Sequence, residues 1–134
     1  GYNEESKKLI KKLKSKGIKV ILATNPVFPS IATEKRMIWA GLDKNDFELY
    51  TTYENSSYCK PNPMYYAEIA EKLGLNPENC LMVGNDTTDD MSASEIGMKT
   101  FLLTDCLINS KNVDISQFNN GSFKELNDYI DSLI

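Results

Sequence analysis

Two patterns of apolar positions alternate along the chain. Apolar spacing of three or four residues, together with capping residues, predicts helices at 4–16, 30–40, 61–73 and 122–133. Continuous apolar or β-branched runs, which suit strands buried on both faces, predict strands at 18–23, 47–52, 81–83 and 100–103. Strands that alternate with helices in this way predict an α/β fold, Rossmann-like, with a parallel sheet between two layers of helices.

Local signals set the expected ends of several elements. Gly17 is expected to end the first helix, and Ser30 is expected to cap the second. Ser122 and Glu125 form a capping-box pattern at the start of the last helix. One short helix is expected between the last two strands. Residues 106–121 are polar and are expected to be irregular.

The composition limits the classes of protein to which the chain can belong. Its 134 residues are enough for one domain, so residues 1–134 are expected to form a single unit with its own core. The formal net charge of -4 argues against nucleic acid as a partner, and no apolar run approaches the ~18 residues of a membrane span. The chain has no histidine, which excludes Ser-His-Asp, Cys-His and histidine–metal chemistry. Its three cysteines lack metal-type spacing, and a reduced, cytoplasmic location is expected.

Polar residues with complementary chemistry follow the predicted strands. Thr24 and Asn25 follow the first strand, and Lys60 follows the second. Asp86 and Asp90, with a third acid between them, follow the third strand. Ligands of parallel α/β sheets bind beyond the carboxyl ends of the strands, where these side chains would meet. Oxygen ligands suit Mg²⁺ and a lysine suits a phosphate, so the pattern predicts a site for both. Taken singly, the acids could instead cap a helix, Thr24 could serve a turn, and Lys60 could be a solvated loop residue.

Three segments in order resemble motifs of one family. The segments ILATN, CKPNP and MVGNDTTDDMSASEIGMKTFLLTD are similar to the second, third and fourth motifs of the haloacid dehalogenase-like (HAD) hydrolases. The motifs lie at about residues 18–25, 59–63 and 81–91, and the resemblance covers about residues 5–105. Each motif alone is a weak signal, whereas all three in the family's order form a strong one.

The resemblance implies a role for each candidate residue. Thr24 would hold the phosphoryl oxygens through its hydroxyl, with Asn25 beside it at the phosphate, and Lys60 would balance the charge of the phosphorylated intermediate. Asp86 and Asp90 would bind Mg²⁺, directly or through water. The implied function is a Mg²⁺-dependent phosphatase that acts on a small phosphorylated metabolite, with neither nucleic acid nor membrane as a partner.

The fourth motif allows two registers. Asn85 stands where the simplest form of the motif has its first aspartate, which would pair Asn85 with Asp89. The register of Asp86 with Asp90 restores the family's spacing of two acids, and it is preferred here.

The family's first motif, an apolar strand that ends in DxD, has no counterpart in the sequence. Its first aspartate is the family's nucleophile, so the nucleophile and any cap domain are expected in a segment that precedes this chain. The chain alone is then expected to be inactive. In the family the first-motif strand lies between the strands of the second and fourth motifs. Without it, two half-sheets with unpaired inner edges are expected, and such edges favour self-association.

A non-catalytic function is the alternative. A receiver-like module also uses aspartate, threonine and lysine around Mg²⁺, and a degenerate HAD remnant could keep phosphate or Mg²⁺ binding alone. Receivers place their acids before the threonine and the lysine, whereas here the order is threonine, lysine, acids. This order favours the hydrolase. The sequence carries no signal for the identity of the substrate.

Overall fold

The computed structural model describes residues 3–134, which form two compact units. The first unit ends at Ser56 and the second is Ser57–Ile134. The single domain expected over 1–134 stays a prediction. Both contain parallel strands and helices, so the predicted α/β class is confirmed.

The first unit contains a two-stranded parallel sheet with two α-helices. Its elements are α1 (Glu4–Ser15), β1 (Ile21–Leu22), α2 (Ser30–Trp39), a 3-10 turn (Lys44–Asp46) and β2 (Leu49–Tyr50). β1 pairs with β2 in the register Ile21 to Leu49. Both strands lie inside their predicted segments but are shorter, because only these residues have a ladder partner. Leu9 of α1 and Met37 of α2 are buried in this unit.

The second helix is capped differently from the prediction. Its N-cap is Pro29, which makes no side-chain capping bond, and Ser30 is the first helical residue. The backbone N–H of Ser30 donates to both carboxylate oxygens of Glu54, at 3.0 and 3.2 Å. The expectation that Ser30 caps this helix is therefore wrong, because an acid 24 residues away already accepts the free N–H.

The second unit contains a three-stranded parallel sheet in the order β3-β4-β5. Its regular elements are α3 (Pro63–Lys72), β3 (Leu81–Gly84), β4 (Lys99–Leu103), β5 (Asn120–Gly121) and α4 (Phe123–Leu133). Three 3-10 helices connect them, at Pro77–Asn79, Met91–Ile96 and Ile115–Gln117. β3 pairs with β4, from Leu81 opposite Lys99 to Gly84 opposite Leu102.

Local signals are confirmed where the predicted partners are close in sequence. The capping box of Ser122 and Glu125 is present at the start of α4. The short helix before β4 is a 3-10 helix that ends at Gly97, whose φ of 95° suits glycine. The expectation for residues 106–121 is wrong in part, because Asn120 and Gly121 form β5 against the buried Leu102 and its neighbour in β4.

The two sheets match the expected half-sheets. Within residues 3–134, β1 has β2 as its hydrogen-bonded neighbour, and β3 has β4. Self-association through the free edges stays a prediction. No helix in the described part of the chain is long and apolar enough to cross a membrane.

Candidate active site

A buried ion pair lies at the carboxyl end of β3. The Lys60 Nζ donates to Oδ1 of Asp90 over 2.6 Å, and the two side chains are only 9% and 8% exposed. The other oxygen, Oδ2, accepts the backbone N–H groups of Asn85 and Asp86, each at 3.0 Å. Both oxygens of Asp90 are therefore occupied, which compensates for most of the cost of burying the charge.

The loop at residues 85–90, called the acidic loop below, folds around this carboxylate. Its first turn requires a glycine before it. A Cβ atom on Gly84 would lie 2.2 Å from Oδ2 of Asp90, too close for any side chain. In the sequence, this contact is indicated only by the glycine at the end of the strand, so the role of Gly84 was not predicted.

Asp86 presents one free oxygen. Its Oδ1 accepts the N–H groups of Thr88 and Asp89, at 2.8 and 2.9 Å, while Oδ2 makes no hydrogen bond or ion pair within residues 3–134. Asp89 is half-buried, and burial raises the pKa of its carboxyl, as do the negative charges of Asp86 and Asp90. Lys60 partly offsets this increase in the Asp89 pKa. The loop therefore holds an accumulation of negative charge that a cation would relieve.

Helix α3 supplies two tyrosines that contact the site. Asn62 caps this helix, and the ring centroid of Tyr65 lies 5.9 Å from the Nζ of Lys60. The Tyr66 hydroxyl donates to the backbone carbonyl of Asp89 over 2.6 Å. Both tyrosines are fully buried. Burial raises the pKa of the Tyr66 hydroxyl, so it stays a hydrogen-bond donor. No sequence pattern indicated the bond from Tyr66 to the acidic loop.

The predicted phosphate ligands Thr24 and Asn25 lie just after β1, in the first unit. The N–H of Thr24 donates to the Thr51 hydroxyl over 3.0 Å, and that hydroxyl donates to the carbonyl of Thr24. Oδ1 of Asn25 is buried without a hydrogen-bond partner in the described residues. A cavity of about 330 Å³ is bordered by Thr24 and by residues of β1 and α2 such as Arg36.

The structure thus brings together three of the five predicted site residues, Lys60, Asp86 and Asp90, in the second unit. Thr24 and Asn25 belong to the first unit, and their convergence with the other three stays a prediction. The role of each residue also stays a prediction.

The donor atoms of the acidic loop fit Mg²⁺. Within the described part of the chain, no group of three or more acids, cysteines or histidines converges on a point. Mg²⁺ usually takes only one or two protein carboxylates and completes its shell with water and substrate oxygens. The free oxygen of Asp86 is the donor best placed to hold it, and Asp90 lies within the same loop.

The fold and the position of the site define an α/β protein whose candidate ligand-binding residues lie at the carboxyl end of a parallel strand. Comparison with protein-family models gives a match to the haloacid dehalogenase-like hydrolases over residues 3–97. Because this match covers more than half of the chain, the chain belongs to that family, and the resemblance drawn from its motifs is confirmed.

Individual relatives carry phosphatase names. "Putative phosphatase YhcW" of Bacillus subtilis is 30% identical over 67% of this chain and 40% of its own length. The glyceraldehyde 3-phosphate phosphatase of Methanothermobacter thermautotrophicus is 29% identical over 68% of this chain and 39% of its own length. The chain therefore spans about 40% of the length of the curated relatives it matches.

Solved structures share the fold. The "putative HAD-hydrolase YfnB" from Bacillus subtilis superposes with a TM-score of 0.75 at 21% identity. That comparison covers 95% of this chain and 55% of the other. YfnB was solved bound to magnesium.

Proposed function

We propose that this chain carries part of the catalytic core of a Mg²⁺-dependent phosphate-monoester hydrolase that acts on a small phosphorylated metabolite. Membership of the HAD-like hydrolases and the phosphatase names of its relatives support the proposal. The chain spans about 40% of the length of those relatives, and the proposal therefore assigns the activity to a longer protein that contains it.

One observation carries the proposal most directly: the ion pair between Lys60 and Asp90 beside the free oxygen of Asp86. A buried ion pair is weak evidence for stability, because desolvation offsets the attraction between the charges. It is well suited to holding a lysine in a fixed position next to a group that becomes more negative during a reaction.

The proposed roles follow from the chemistry of each group. Mg²⁺ would be held by the free oxygen of Asp86 and by Asp90, through water or directly through the remaining lone pair of its Oδ1, and would neutralise charge on the phosphoryl oxygens. Lys60 would donate to a phosphoryl oxygen without leaving Asp90, because an ammonium group has three protons to donate. The Thr24 hydroxyl and the Asn25 amide would donate to the remaining oxygens.

The proposed nucleophile is an aspartate of a preceding segment. Its carboxylate oxygen would attack phosphorus as the bond to the ester oxygen breaks, and the alcohol would leave with a proton from a general acid. Water would then hydrolyse the aspartyl phosphate. The 134-residue chain alone is expected to be inactive, because covalent catalysis needs that nucleophile.

The test is hydrolysis of p-nitrophenyl phosphate by the 134-residue chain and by the full-length protein, with Mg²⁺ and after chelation. We expect activity in the full-length protein alone, lost on chelation and in the Asp86→Asn variant. Asp128→Asn, which changes an exposed aspartate on α4, is the matched control and should keep activity. Strong activity in the isolated chain would refute the assignment of the nucleophile to a preceding segment.

The same assay separates the alternative function. A full-length protein that binds Mg²⁺ or inorganic phosphate without turnover would be a non-catalytic binding module. The proposal also includes a cytoplasmic location, a small phosphorylated substrate as the partner and self-association of the isolated chain. Cell fractionation tests the location, and analytical ultracentrifugation tests the self-association.

A further inference from the structure

The acidic loop forms backbone hydrogen bonds with a second segment, which has no role in the proposed function. Pairing of β3 with β4 ends at Gly84 and Leu102, yet the chain returns and pairs again at residues 106–109, called the clasp below. Ile108 of the clasp forms a parallel bridge with Asp86. Its N–H donates to the carbonyl of Asn85 over 2.8 Å, and its carbonyl accepts the N–H of Thr87 at 3.0 Å.

Two side chains add to this backbone pairing. The Nδ2 of Asn85 donates to the carbonyl of Cys106 over 2.8 Å. The buried hydroxyl of Thr87 donates to Oδ1 of Asn109 over 3.1 Å. Asn109 is itself fixed, because it accepts the N–H of Val113 at 3.0 Å and donates to the Val113 carbonyl over 2.9 Å.

These bonds fall on both sides of one residue. The residues before and after Asp86 are tied to the clasp, and the N–H of Asp86 itself is tied to Asp90. The backbone that carries the free carboxylate oxygen is therefore held from both directions. A metal ligand held in this way needs no rearrangement to bind, which raises affinity.

We propose that Asn85 and Asn109 are positioning residues that fix Asp86 for Mg²⁺. This inference rests on the proposed function. It also assigns Asn85 a positioning role through its amide nitrogen, which donates to the Cys106 carbonyl of the clasp.

The experiment is a titration of the ¹⁵N-labelled 134-residue chain with Mg²⁺, in which amide shifts of Asp86 and Thr87 give the dissociation constant. Asn85→Ala and Asn109→Ala should each weaken binding about three- to tenfold, as expected for the loss of one or two hydrogen bonds. Asn109→Asp keeps the oxygen that accepts from Thr87, so it should stay within about twofold of the wild type. Asn119→Ala, which removes an exposed amide bonded to Tyr129, is the matched control.

Hydrogen exchange separates positioning from general stability. Protection should fall at the amides of Thr87 and Ile108 in the alanine variants while it stays unchanged at Val83 in β3. If Asn85→Ala does not fold, Thr87→Val, which removes only the hydroxyl bonded to Asn109, takes its place.

The outcomes distinguish the two proposals. Wild-type Mg²⁺ affinity in both alanine variants would overturn the clasp proposal and leave the proposed function intact. A loss of hydrogen-exchange protection throughout β3 that leaves the Mg²⁺ affinity unchanged would do the same. If the acidic-loop amides of the wild-type chain do not shift with Mg²⁺ and the full-length protein is also inactive, the proposed function is overturned. The role of the clasp is overturned with it.

Discussion

Replacement of Lys60 by methionine isolates the contribution of the buried ion pair. Methionine keeps most of the apolar length of lysine and removes only the charge. The Asp90 carboxylate, 8% exposed, would then lose the Nζ at 2.6 Å and keep its two backbone N–H donors. Removal of one partner from a buried pair costs about 3–5 kcal/mol, because a charge is left buried without its counter-charge. The two remaining donors place the expected loss near the lower end, about 3 kcal/mol.

The assay is urea unfolding at pH 7, followed through the NMR peak intensities of each unit separately. The control is Lys14→Met, since Lys14 and Asp46 form an ion pair at 3.1 Å whose side chains are 43% and 28% exposed. A pair this exposed contributes about 0–1 kcal/mol. The double variant Lys60→Met/Asp90→Asn should be more stable than Lys60→Met, because it buries no unpaired charge. A loss below about 1 kcal/mol for Lys60→Met, equal to the control, would refute the reasoning.

Three further predictions concern local features. Gly84→Ala should destabilise the second unit by about 2–3 kcal/mol in urea unfolding, because the new Cβ displaces the Asp90 carboxylate from its N–H donors. Asp89→Asn should raise the thermal stability of the metal-free chain at pH 7. Burial, and then the charges of Asp86 and Asp90, raise the Asp89 pKa, so its ionisation costs stability as the pH rises above the ordinary value of 3.8. The difference from the wild type should vanish below that pH, and a constant difference would contradict it. Ser122→Ala should cost about 1 kcal/mol in the same unfolding assay, through loss of the α4 cap; no change would mean that solvent replaces the hydroxyl.

The sequence alone determined the order of the four α-helices and the first four strands, because periodicity and caps act between neighbouring residues. The first helix was predicted at 4–16 and lies at Glu4–Ser15, and the fourth strand was predicted at 100–103 and lies at Lys99–Leu103. The three motifs were also sufficient to predict the family, since the family model matches residues 3–97.

Tertiary structure decided the features that depend on distant partners. Asn120 and Gly121 form a strand only because β4 offers its backbone, and the N–H of Ser30 at the start of the second helix donates to the distant Glu54. Neither partner is visible in a local pattern.

The site follows the same division. The sequence predicted that Lys60, Asp86 and Asp90 belong to one phosphate and metal site, since residue type and order carry that information. Only the fold decided that both oxygens of Asp90 are occupied, that one oxygen of Asp86 has no hydrogen-bond partner within residues 3–134, and that Asn85 donates to a carbonyl 21 residues away. Such assignments depend on which donors the folded backbone brings within about 3 Å, and no spacing along the chain encodes them.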